Sequence, residues 1–217
     1  FFFYTLIGSI LMLLAILYIY SISGTTDYLT LLEFQIDPYV QKFLFLAFFA
    51  SLAVKIPKFP FHIWLPQAHV EAPVAGSVIL AGILIKLGGY GFIRFTLPLF
   101  PDASYFFSPL VFTLAVLAII YASLTTLRQT DLKRIIAYSS VSHMGVVSLA
   151  IFTFSAIGIE GSLFLQLAHG IVSSALFIIV TVLYDRYHTR LIKYYRGMVI
   201  IMPIFITLFL FFTLANI

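Results

Sequence analysis

Residues 74–95 read VAGSVILAGILIKLGGYGFIRF. Apart from Lys86 and Arg94 the run is uncharged and apolar, and it is long enough as a helix to cross about 30 Å of hydrocarbon, which takes roughly 20 residues. Lys86 lies near its middle, about eleven residues or roughly 16 Å from either end, too far to reach a surface. A charge there costs between about 2.5 and 17 kcal/mol depending on the reference state. Such a lysine reads either as part of an ion path or as a buried cation paired with an acid. Its helical neighbours Gly82, Gly89 and Tyr90, four residues before it and three and four after it, put it on a face that another helix can approach closely.

The rest of the 217 residues repeats this composition. Charged residues make up 9% and hydrophobic ones 62%, against about 25% and 45–50% in soluble domains. With 24 Phe and 13 Tyr there is too little polar surface to face water, so a soluble globule, a disordered chain and a nucleic-acid binder are excluded. Further apolar stretches run over about 1–22, 107–127, 133–154, 160–184 and 199–217. An irregular one occupies 39–72. The expected fold is an all-α polytopic transmembrane helix bundle of about seven spans, one broken by prolines, within a single membrane domain, 1–217. Beta-barrel readings fail because the runs are continuous, not alternating.

Assigning the loops alternately to two sides tests that count. One side receives Lys58, Arg128, Lys133, Arg134, Arg186, Arg190, Lys193 and Arg196, the other Lys42 and Arg94 together with Asp27, Glu33, Asp37, Asp102 and Glu160. The basic side is then cytoplasmic or its organellar equivalent, the mitochondrial matrix. The start, FFFYTLIGS, has no initiator Met, basic region or cleavage site and does not read as a signal peptide. The end, TLFLFFTLANI, stops inside an apolar run, and both ends read as cuts through a longer protein or as edges completed by a partner polypeptide.

The irregular segment carries VKIPKFPFHIWLP at 54–66. Two prolines three apart break a helix. The break reads in two ways: as non-helical backbone buried in protein or lining a wet cavity, as at transporter ion sites, or as a short helix ended at the interface by Lys55 and Lys58. Two histidines lie on polar stripes. His143 follows Ser139 and Ser140 by a helical turn, and His169 continues a line through Ser162, Gln166 and Ser173. Imidazole accepts on one nitrogen and donates from the other, so it passes protons along a hydrogen-bonded chain. Each also reads as an ordinary bundle contact. Lysines 55 and 86 with His143 and His169 together look like the parts of a proton relay.

Other chemistries fit poorly. Without cysteine there is no disulfide, thiolate metal site or iron–sulfur cluster. Haem between paired histidines would leave the lysines unexplained. His62, His69 and Glu71 do not have zincin spacing, and GGYG at 88–91 lies inside a span and follows no strand, so it is no phosphate loop. No cofactor or metal is expected on this chain. Whatever drives ion movement comes from elsewhere.

The wording of 54–95, LRQTDLKRIIAYSSVSHMG at 127–145 and LAHGIVSSALF at 167–177 resembles the antiporter-like family, which comprises large membrane subunits of proton-pumping NADH:ubiquinone oxidoreductase (respiratory complex I) and of Mrp-type sodium/proton antiporters. The resemblance implies an inverted-repeat fold, with this chain covering helices six to twelve: 1–98 would end the first repeat and 99–217 form most of the second. It implies that Lys55 matches the helix-seven lysine, Lys86 the helix-eight lysine, and His143 and His169 the histidines of helices ten and eleven. These would pass a proton along the membrane's mid-plane. The glutamates of helices five and twelve would fall just outside the chain. It further implies a proton-translocating subunit of an enzyme that reduces ubiquinone, with FMN, iron–sulfur clusters and ubiquinone on other subunits and neighbouring membrane-arm subunits as partners. The location implied is the mitochondrial inner membrane, and the competing reading is an Mrp-type antiporter subunit.

Overall fold

Four helix starts are set by short polar side chains that accept from backbone N–H groups two or three residues on. Asp27 accepts from Thr30 at 3.1 Å, Asp37 from Tyr39 at 2.7 Å, Asp131 from Lys133 at 2.8 Å and Ser155 from Gly158 at 3.1 Å. Each satisfies a backbone donor that the first turn leaves unpaired. The computed structural model describes residues 2–216, and every long element in it is a helix. They are α1 (Phe2–Ser23), α2 (Tyr28–Glu33), α3 (Pro38–Lys55), α4 (Trp64–Glu71), α5 (Val74–Leu99), α6 (Pro101–Arg128), α7 (Leu132–Ile151), α8 (Ala156–Tyr187), α9 (Met198–Ile201) and α10 (Pro203–Ala215).

Five of these, α1, α5, α6, α7 and α8, are long and apolar enough to cross a membrane. The sixth expected crossing is the broken pair α3 and α4. The last, expected over 199–217, is split at Pro203, which has no N–H to donate and begins α10 after the short α9. The bundle packs α7 between α6 and α8, α5 against both α8 and α3, and α1 against α3. Its core is aromatic: Phe45, Phe92, Phe100 and Phe152 are fully enclosed. The outer faces stay apolar, with Ile157, Phe164, Ile171 and Ile200 all exposed, as lipid or neighbouring helices require.

Between Lys55 and Trp64 the chain is non-helical; its first part, Ile56, Pro57 and Lys58, is enclosed in protein, whereas Pro60, Phe61 and Ile63 are exposed. For residues 56–58 the break is thus non-helical backbone buried in protein, as the first of the two readings has it. The Trp64 indole N–H donates back to Val54 O at 2.9 Å, which satisfies a carbonyl freed at the end of α3. On the basic side the loop after α8 forms a strap. Leu132 N–H donates to Arg190 O at 3.0 Å and Ile192 N–H to Thr130 O at 3.1 Å. From this strap Arg190 donates to Val70 O at 2.7 Å, and Lys133 Nζ reaches Ala72 O at 3.3 Å. Two cations thus hold the carbonyl end of α4, the end a helix dipole makes negative.

Candidate functional site

Helix α5 is not a uniform α-helix. It contains two wide π turns, at Leu80–Leu84 and Phe92–Thr96, and Lys86 lies between them. In the first of these Ile85 N–H bonds to Leu80 O, five residues back, instead of Ala81 O, four back. The Lys86 ammonium donates to Ala81 O. It also donates to Nδ1 of His169 on α8 at 2.9 Å. With Lys86 charged, its ammonium only donates, so Nδ1 accepts and the imidazole proton sits on Nε2.

The approach of α8 that makes this contact possible depends on missing side chains. A methyl on Gly89 would overlap the Gln166 amide, and one on Gly170 would crowd Gly82 O. Ser162, Gln166, His169 and Ser173 are all buried along one stripe of α8, as expected for a helix that turns a polar face inward. Of the neighbours expected around Lys86, Gly82 and Gly89 do face α8. Tyr90 does not. It is 54% exposed and packs edge-on against Phe95, since the close α5–α8 contact leaves no room for a ring.

Beyond His169 the next ring is His143 on α7, with centroids 5.3 Å apart and planes tilted by 55°. His143 is half-buried. Lys86, His169 and His143 therefore form one cluster drawn from α5, α8 and α7. Lys55 stands apart. It ends α3 and lines a cavity of about 110 Å³ with Thr5, Trp64, Leu80, Leu84 and Leu87, a space large enough for several waters.

Two residues that the sequence did not place among the relay groups are also buried. His69 on α4 is fully enclosed, stacks on Phe177 at 4.4 Å, and has no hydrogen-bond partner among the described residues on either ring nitrogen. Its place eight residues before Ser77, within the proline-bounded end of the broken segment, was the available signal. Lys58 was assigned to the basic loops. The structure corrects this: its side chain turns back into the bundle, is 1% exposed, and sits over the rings of Phe49, Phe92 and Phe152 at 5.0, 4.8 and 5.3 Å. Pro57 and Pro60 hold this stretch out of helix, and the freed backbone lets Lys58 N–H cap Ala53 O at 3.1 Å while the side chain folds inward. Among the described residues no group of three His, Asp or Glu side chains is placed to hold a metal.

A family model described as NADH:quinone oxidoreductase/Mrp antiporter, TM, matches residues 1–217. The chain belongs to this family. Among curated relatives of this antiporter-like chain, NADH-ubiquinone oxidoreductase chain 4 of Chondrus crispus is 67% identical over 216 residues, covering 100% of this chain and 44% of the relative. The chain thus spans less than half the length of the curated relatives it matches. Of solved structures, respiratory complex I from Thermus thermophilus with bound NADH matches 99% of this antiporter-like chain and 46% of that chain, with a TM-score of 0.91 and 34% identity. The Mrp complex from Dietzia sp. DQ12-45-1b matches 87% and 21%, with a TM-score of 0.74 and 25% identity.

Proposed function

We propose that this chain is the central part of a chain 4 subunit of NADH–ubiquinone oxidoreductase, and that it moves protons across the mitochondrial inner membrane. The observation that carries the reading is the 2.9 Å contact between the Lys86 ammonium and His169 Nδ1, made inside a membrane bundle by two groups of which each can take and release a proton. The similarity to chain 4 relatives and to a complex I structure supports the same assignment. The Mrp reading has less support, at lower identity and lower structural overlap.

The proton step balances within the cluster. Lys86 gives a proton to Nδ1 and becomes a neutral amine, and His169 becomes an imidazolium. That imidazolium releases its other proton from Nε2, which has no protein partner among the described residues, through water to a ring nitrogen of His143. A neutral imidazole bearing hydrogen on Nδ1 is left, and it must re-form the Nε2 tautomer before the next transfer. Lys55, beside its cavity, is the group from which Lys86 is recharged. In this reading residues 1–98 end one repeat and 99–217 form most of the next. FMN, iron–sulfur clusters and the ubiquinone site belong to other subunits, with neighbouring membrane-arm subunits as partners, and energy reaches this chain as a change of charge next to Lys55.

The test is Lys86→Met in the assembled complex, measuring proton uptake into vesicles per NADH oxidised. Translocation is expected to be abolished while electron transfer to quinone falls less. A Lys86→Met complex that pumps with the unaltered ratio ends the reading. Sodium-dependent proton exchange in the absence of NADH would instead favour the antiporter.

A further inference from the structure

The Lys86 cluster leaves one buried cation unexplained. Lys58 lies in the unwound stretch between α3 and α4, and the three rings around its ammonium come from three different elements: Phe49 from α3, Phe92 from α5, and Phe152 from the end of α7. Those are the elements that carry Lys55, Lys86 and His143. Among the described residues no protein acceptor, carboxylates included, lies within hydrogen-bond distance of Lys58 Nζ.

Position along α7 fixes the depth. Lys133 is at the basic-loop end of that helix and Phe152 follows its other end, so the Lys58 ammonium lies toward the acidic-loop side, with His143 between the two levels. Full burial without an anion disfavours the charged form. Three ring faces favour it, because each offers the negative face of its quadrupole to a cation. A lysine held between two such opposing influences, with no ion pair to break, is able to change protonation when a neighbouring charge changes.

We propose that Lys58 is a further proton-carrying residue, lying on the acidic-loop side of the Lys86 cluster and holding its proton on ring faces in place of a carboxylate. This rests on the relay reading above and adds a position to it. The ring box also keeps the group dry, so a proton reaches it only when the surrounding helices admit one.

The experiment compares Lys58→Met, Lys58→Arg and Phe92→Leu with Lys86→Met in the assembled complex, again as protons translocated per NADH. Arginine keeps the cation but does not release a proton, so both Lys58 variants are expected to fall to the Lys86→Met level. Phe92→Leu removes one ring face from a box that otherwise persists and is expected to assemble and to lower the ratio. Restoration of pumping by Lys58→Arg would mean that the cation is a fixed structural one, and the proposal would fail. It fails equally if Phe92→Leu pumps normally, a result that also decides the matter should either Lys58 variant not assemble. Loss of pumping in Lys86→Met alongside normal pumping in both Lys58 variants rejects this proposal and leaves the relay standing; normal pumping in Lys86→Met rejects the relay itself.

Discussion

Gly88 and Gly89 are adjacent, buried and chemically identical, yet replacing each by alanine should have different consequences. A Cβ on Gly88 would meet Ile56 N at 3.0 Å and Leu52 O at 3.3 Å, as well as the Ile56 side chain. Two of these are backbone atoms at the end of α3, so relief requires the broken segment to move. The nearest atoms to a Cβ on Gly89 are those of the Gln166 amide, the far end of a side chain that can swing aside. Overpacking costs roughly 1–3 kcal/mol, and the upper part of that range applies where backbone must shift. Against it, alanine in place of glycine returns about 1 kcal/mol of helix propensity. The net expectation is a loss of about 1–2 kcal/mol for Gly88→Ala and about zero for Gly89→Ala. The assay is survival of the assembled, detergent-solubilised complex on heating, followed by native gel and by quinone reductase activity. Equal stability of the two variants would refute the close approach of Ile56 to α5, and with it the placement of Lys55 and Lys58 on either side of that contact.

Further outcomes follow from other contacts. His169→Gln keeps a group able to accept from Lys86 but cannot relay from one ring nitrogen to the other, so pumping per NADH should be lost; His143→Gln, at a half-buried site 5.3 Å further on, should lose less. Arg190→Met removes a charge-assisted bond of 2.7 Å to Val70 O, worth roughly 1.5–3 kcal/mol, and should raise backbone hydrogen exchange at the end of α4, whereas Lys193→Met in the same loop should not. Asp131→Ala removes the cap of α7 at Lys133 and should lower thermal survival of the complex by about 1 kcal/mol.

The spans were legible because lipid imposes them: a helix that must cross hydrocarbon needs a long apolar run, and 74–99 or 156–187 could hardly be anything else. Lys86 was legible for the same reason, as a charge with no route to the surface, and His169 because its polar neighbours recur at helical spacing. Lys58 was not. Its number and its flanking prolines say only that the chain bends, and whether the side chain then leaves toward water or folds back under Phe92 depends on how α3, α5 and α7 converge. The π turns of α5 were equally hidden, since LAGIL and FIRFT have no composition that distinguishes them from ordinary helix. The strap of Arg190 onto α4 joins residues 120 apart, and charge counting could assign both ends to one side without revealing that they touch.

The wide turn before Lys86 has a consequence for how charge is stored in the bundle. The acceptors the structure gives this ammonium, the carbonyl of Ala81 and the nitrogen of His169, are both neutral. A lysine paired with a carboxylate strands a buried negative charge each time it gives up its proton, and the return of that proton is then compelled. Here departure would leave a neutral amine and no buried anion, once His169 has passed its own proton on. Under the proposed function, helix α5 would hold two charge states with the same packing and the same partners, its occupancy set by distant charges and not by a local ion pair that must first be broken.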